Sequence, residues 1–287
     1  MEIESEIKFQ LKLLLKIIAL PLTLLLFILG QWELVKKLSP LREILDFLTS
    51  AKTIFGLIML NISMYVVEVI LLIKRPEVVD LLVKYPKDII STRFYTVITA
   101  GFLHGGLGHL LSNMLFLLLV GRVVEKKLGS KKTLIVYFLA LTISGAIDSI
   151  ISLYLGIEAG AIGASGAIMG LVSIAMLLAP LYITFLFFIP LPMFLVGWTV
   201  LASNLASLPN YASSNIGYIA HIAGFFSIAL IGALLSSEDK RKLKIGLLVN
   251  AIFLIVGTIL FLAINGIAPI KELFSTLMQG IDGPGGI

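Results

Sequence analysis

The sequence predicts an all-α protein, a polytopic bundle of transmembrane helices, and three observations predict it. Of its 287 residues, 59% are apolar and 14% are charged, against roughly 25% charged in an ordinary soluble domain. Mean hydropathy is +1.06, which leaves too little polar surface to cover a water-soluble globule. The apolar residues also gather into runs near the ~20-residue length at which a helix crosses hydrocarbon. A soluble enzyme, a disordered tail and a nucleic-acid module are excluded on this arithmetic. The net charge of +5 implies no acidic or nucleic-acid partner, because cytoplasmic loops of membrane proteins are normally rich in Lys and Arg. The chain has no Cys, so thiol nucleophiles, thiolate metal sites and disulfides are absent.

Taken in order, the apolar runs cover 54–73, 107–124, 133–155, 163–179, 190–206, 216–235 and 245–264. The stretch 171–206 is almost continuously apolar, and its division rests on Pro180, Pro190 and Pro192, where a helix loses backbone bonds. An eighth run, 17–30, is short and follows Lys8, Lys12 and Lys16. It lacks a small-residue cleavage site before Gln31 and Trp32. An interfacial helix and an extra span are both open for it. The expected organisation is therefore an N-terminal segment with its linker (1–52), a six-helix core (53–236), and a basic loop, seventh span and short tail (237–287). The tail ends in a glycine-rich tract, 283–287.

Basic residues set the orientation. Arg122, Lys126, Lys127, Lys131 and Lys132 follow the second run, and Lys240, Arg241, Lys242 and Lys244 follow the sixth. No Lys or Arg falls between Thr133 and Asp239. Four spans separate the clusters, so both lie on one side, which the positive-inside rule makes cytoplasmic. Lys36, Lys37, Arg42 and Lys52 agree. The loop 74–103 falls outside yet holds five basic and three acidic residues, which predicts a loop with structure of its own.

Polar side chains in a bilayer mark function by default. All three His, namely His104, His109 and His221, lie in or at the mouth of spans. Asn113 stands one turn after His109 on the same helix face. Spans two, four and six run in the same direction, and His109, Ser165 and His221 each lie within about five residues of a span's start. At 1.5 Å per residue that places all three within roughly 10 Å of the outer surface. Gly166 and Gly170, and Ala220, Gly224 and Gly232, form small-residue ridges that permit close helix approach. If spans four and six meet there, a hydroxyl and an imidazole become neighbours, and Ser beside a His base is an activated nucleophile. His109, Asn113 and the Ser165 backbone N–H are then the donors for a developing oxyanion.

Each feature alone has a plainer reading, as a helix contact, a satisfied histidine or part of a proton path; their common depth is what points to chemistry. His104 reads as holding the loop against the helix start, and Glu125 as a solvated or helix-end carboxylate. Asp148 reads as a contact to a neighbouring helix rather than a third catalytic group. Glu68 reads as a structural or interfacial contact.

At these residues the chain resembles the rhomboid family of intramembrane serine proteases. The resemblance rests on Phe102-Leu103-His104-Gly105-Gly106-Leu107-Gly108-His109-Leu110-Leu111-Ser112-Asn113, on Val123-Val124-Glu125-Lys126-Lys127-Leu128-Gly129-Ser130, on Gly163-Ala164-Ser165-Gly166 and on Ala220-His221-Ile222-Ala223-Gly224. It covers roughly residues 53–235. It implies a Ser165–His221 dyad, an oxyanion site from His109, Asn113 and the Ser165 amide, and close approach at Gly163, with His104, Gly166 and Gly224 supporting. It further implies that loop 74–103 dips into the membrane, that 190–206 gates the site and that 207–215 caps it. No cofactor or metal is implied. The expected partners are transmembrane substrates in a lipid bilayer, in a prokaryotic cell membrane, with the site extracytoplasmic. Three positions depart from the family: Tyr95-Thr96 stands where a Trp-Arg pair is usual, with Arg93 the nearest arginine. Met169 replaces an aromatic ring that packs on the imidazole, and Ile228 interrupts the glycine ridge.

Two other classes compete. A non-cleaving relative has no need to retain Ser165, His221, His109 and Asn113 together. A small-solute transporter would prefer inverted repeats and broken helices at the midplane, and no such halves are evident in the sequence.

Overall fold

A computed structural model describes residues 2–186, 189–209 and 217–265. Helix follows helix almost throughout. The N-terminal segment forms α1 (Glu2–Ile18), α2 (Leu20–Ile28), α3 (Trp32–Leu38) and α4 (Leu41–Thr49). The long helices are α5 (Lys52–Lys74), α6 (Leu107–Leu128) and α7 (Ser130–Tyr154). Then come α8 (Ser165–Leu178), a hairpin of β1 (Ile183–Leu186) and β2 (Ile189–Pro192), α9 (Met193–Ser207), α10 (Tyr218–Ala233) and α11 (Ser237–Asn265). Four described helices, α5, α6, α7 and α11, are long and apolar enough to cross a membrane alone; α8, α9 and α10 are shorter apolar helices. The protein is a multi-pass, all-α membrane protein.

Helix α8 is the axis of the bundle. Ala164, Ala167, Ile168, Leu171, Val172, Ile174 and Ala175 are all buried, as expected of a helix that is apolar all round. Small residues let its neighbours close in. Gly170 faces Ala140 of α7 and Gly166 faces Ser144 of α7. A Cβ on Gly224 of α10 would overlap the Gly166 carbonyl. The expected contact between spans four and six is therefore present, and it holds Ser165 and His221 on adjoining helices.

Several expectations need adjusting. Run 17–30 is part of a longer bent pair, with α1 and α2 meeting at 50°. The bend falls at Pro21, which removes an N–H and crowds the preceding turn. Between α8 and α9 the chain does not simply break: Pro180 pushes Ala179 out of the helical region (φ −145°, ψ 58°), and an antiparallel hairpin pairs Ile183 with Pro192. Span six is interrupted at Ser227, whose hydroxyl donates to Gly224 O at 2.6 Å. Gly232 consequently leaves the glycine ridge and faces Leu243 of α11. The basic residues 240–244 lie inside α11 rather than in a connection. Glu125 is buried, not solvated, accepting from the N–H groups of Thr53 and Ile54 (3.0 Å each) and so capping the start of α5. The 283–287 tail lies outside the described residues.

Candidate active site

Loop 74–103 has the structure its charges suggested. Asp88 accepts from Tyr85 N at 2.9 Å and from the Thr96 hydroxyl at 3.2 Å. Arg93 donates to Asp80 O at 2.8 Å and lies 3.6 Å from Asp88. The arginine is displaced from the family's position yet still ties the loop together. Ala161 N donates to Lys84 O, and Gly163 N donates to Ala100 O (2.8 Å each), which joins this loop to the segment entering α8.

Between them lies a cavity of about 730 Å³, lined by Ser165, His221, His109, Asn113, Gly163 and Gly166 among others. Four of the residues singled out for chemistry thus meet in one space, although they come from three helices. His104 and Gly224 support it from behind. The His104 ring stacks edge-on against His109 (centroids 5.1 Å), and its backbone N–H donates to Glu68 at 2.9 Å. Glu68 is accordingly a buried anchor for the chain just before α6.

Gly163 has φ +122°, a backbone region that side chains avoid. A Cβ there would also lie 2.8 Å from His109 Cε1 and 2.9 Å from Nε2. The backbone before Ser165 consequently passes directly over the His109 ring edge. Ser165 is the first residue of α8, so its N–H lacks an intrahelical acceptor and sits at the positive end of the helix dipole.

Hydrogen bonds decide what each ring can do. Gly105 N–H donates to His109 Nδ1 at 3.4 Å, so the His109 proton sits on Nε2, the atom that faces Gly163. Asn113 Nδ2 is buried without a hydrogen-bond partner among the described residues, and lies 3.6 Å from where a Gly163 Cβ would be. Two N–H donors therefore converge beside Gly163, two residues before Ser165. At His221, Nδ1 lies 2.7 Å from Oδ1 of Asn204 on α9, a residue that the sequence reading passed over.

Asp148 pairs with Lys84 at 2.5 Å, both side chains being buried. Lys84 also donates to Gly145 O at 3.3 Å. The pair lines the cavity and fastens the loop to α7. The proposed cap, 207–215, falls largely outside the described residues.

A polytopic helical bundle with serine, histidine and asparagine gathered in one cavity at helix ends defines a class of membrane protein, and comparison with known proteins makes it specific. The Rhomboid domain model matches residues 91–238, about half of the chain. The chain belongs to the rhomboid family, a family of intramembrane proteases. It is 30% identical over 150 residues to RHOMBOID-like protein 12, mitochondrial, of Arabidopsis thaliana, covering 47% of this chain and 44% of the relative. It is 26% identical over 194 residues to Rhomboid-like protein 11, chloroplastic, of the same plant, covering 64% of each. The chain thus spans 44% and 64% of the length of these two relatives.

Proposed function

We propose that the protein is a serine endopeptidase that cuts peptide bonds in or near transmembrane segments of other membrane proteins. Ser165 Oγ attacks the scissile carbonyl carbon while its proton passes to His221 Nε2. The carbonyl oxygen, now an anion, accepts hydrogen bonds from His109 Nε2–H, Asn113 Nδ2–H and the Ser165 amide. Collapse breaks the C–N bond, and the leaving amine takes the proton from His221. Water then hydrolyses the Ser165 ester by the same two proton transfers in reverse order. The observation that carries this reading is the pair of N–H donors, His109 Nε2 and Asn113 Nδ2 (buried and without a partner among the described residues), converging on the backbone that leads into Ser165.

On this reading residues 53–236 are the protease core, with 1–52 and 237–287 flanking it. The cavity faces the side opposite the basic clusters, extracytoplasmic in a prokaryotic cell membrane. The test is direct. In the lipid-reconstituted protein, a fluorophosphonate labels Ser165, and Ser165→Ala and His221→Ala each abolish cleavage of a transmembrane substrate while the helical content stays intact. Residual cutting by the Ser165→Ala protein would overturn the mechanism.

A further inference from the structure

A histidine base needs its proton on the nitrogen that faces away from the nucleophile, and the second nitrogen's partner decides this. We propose that Asn204 is a positioning residue that sets the tautomer and tilt of His221. The proposal rests on the Ser165–His221 reading above.

Asn204 is buried on α9. Its Nδ2 donates to Val200 O, one turn back, at 2.8 Å. That bond turns Oδ1 toward the ring, 2.7 Å from His221 Nδ1. An amide oxygen only accepts, so Nδ1 must carry the proton and Nε2 keeps its lone pair. His221 is thereby made a base at Nε2, while His109, whose Nδ1 accepts from Gly105, is made a donor at Nε2. The same side-chain type is set to opposite tasks by two different neighbours.

Among the described residues, Asp148 and His109 act on His221 electrostatically from α7 and α6. Asp148 is engaged by Lys84. Met169, on α8 one turn beyond Ser165, offers no ring to stack on the imidazole. The helix that carries Asn204 is itself fixed. Trp198 Nε1 donates to Asn250 Oδ1 at 3.0 Å, and Asn250 Nδ2 donates to Met176 O at 3.0 Å. The seventh span therefore braces α9 against α8, and α9 in turn holds the imidazole.

The chain has three His, so a ¹⁵N-histidine spectrum of the full-length Ser165→Ala protein holds three imidazoles, with His221 assigned by its loss in His221→Ala. The expected spectrum shows His221 protonated at Nδ1. Asn204→Ala and Asn204→Leu should move that proton to Nε2 or give a mixture, whereas Asn204→Asp, which keeps an acceptor in place, should retain it. In the active chain, Asn204→Ala should lower kcat about tenfold, the scale of one neutral hydrogen bond, with KM unchanged and with recovery in Asn204→Asp. An unaltered tautomer in the Ala and Leu variants, or Asp no better than Ala, overturns the role of Asn204. The spectrum needs no turnover, so its outcome is separate from that of the dyad test, which is loss of cleavage in Ser165→Ala.

Discussion

At the scale of single residues, the cavity is assembled from groups whose surroundings leave them one job each. Among the described residues Asn113 Nδ2 is buried and unpartnered, a state that costs free energy unless something is there to accept. Asn113→Ala should therefore leave stability intact or slightly raised while lowering kcat about 10²- to 10³-fold, the usual effect of removing one oxyanion donor. A kcat within twofold of the parent would remove Asn113 from the oxyanion site. Ser165, His109, Asn113 and His221 were legible in the sequence because polar groups are rare in these spans and share a depth. Asn204 carried the same signal, an amide inside an apolar run, and it could have been found by asking of every intramembrane amide what it faces. Lys84 could not: a lysine in a charged loop looks solvated until the fold brings Asp148 to it.

At the scale of elements, two contacts hold the site's geometry. Gly224 lies against the Gly166 carbonyl, so Gly224→Val must push α8 and α10 apart. Overpacking of this kind destabilises by about 1–3 kcal/mol, measurable by steric trapping in bicelles, and it should suppress Ser165 labelling by separating hydroxyl and imidazole. The loop is pinned by the buried Lys84–Asp148 pair. Lys84→Met takes the ammonium away from a buried carboxylate and should destabilise by about 3–5 kcal/mol, whereas Lys84→Met with Asp148→Leu should recover most of it. Equal losses in the single and double variants would show that the pair is not the anchor. In the N-terminal segment, the Lys16 ammonium, joined by Lys12, holds the Glu43 carboxyl of α4 down at about 2, below its ordinary 4.5. A depressed carboxylate stabilises fully above its unfolded value and loses that contribution as pH falls through the folded one. Docking of α1 on α4 should therefore weaken between about pH 4.5 and 2. Hydrogen exchange in α1 should rise over that window in the parent chain and be flat in Glu43→Gln.

At the scale of the whole molecule, the absence of Cys makes topology simple to measure, since any introduced thiol is unique. In intact cells an impermeant maleimide should label Glu158→Cys, beside the cavity, and spare Lys131→Cys, within the basic cluster; the reverse pattern would invert the bundle. Length and hydropathy alone determined that this chain lives in a membrane as helices, because every backbone group in lipid must be satisfied within the chain. Spacing of His, Asn and Ser determined which side chains could meet. The hairpin after α8, the interruption at Ser227, the Lys84–Asp148 pair and the Asn204–His221 bond were decided only by the tertiary structure. Each depends on which distant groups become neighbours once α8 is enclosed, and pairings across helices leave no periodicity along the chain.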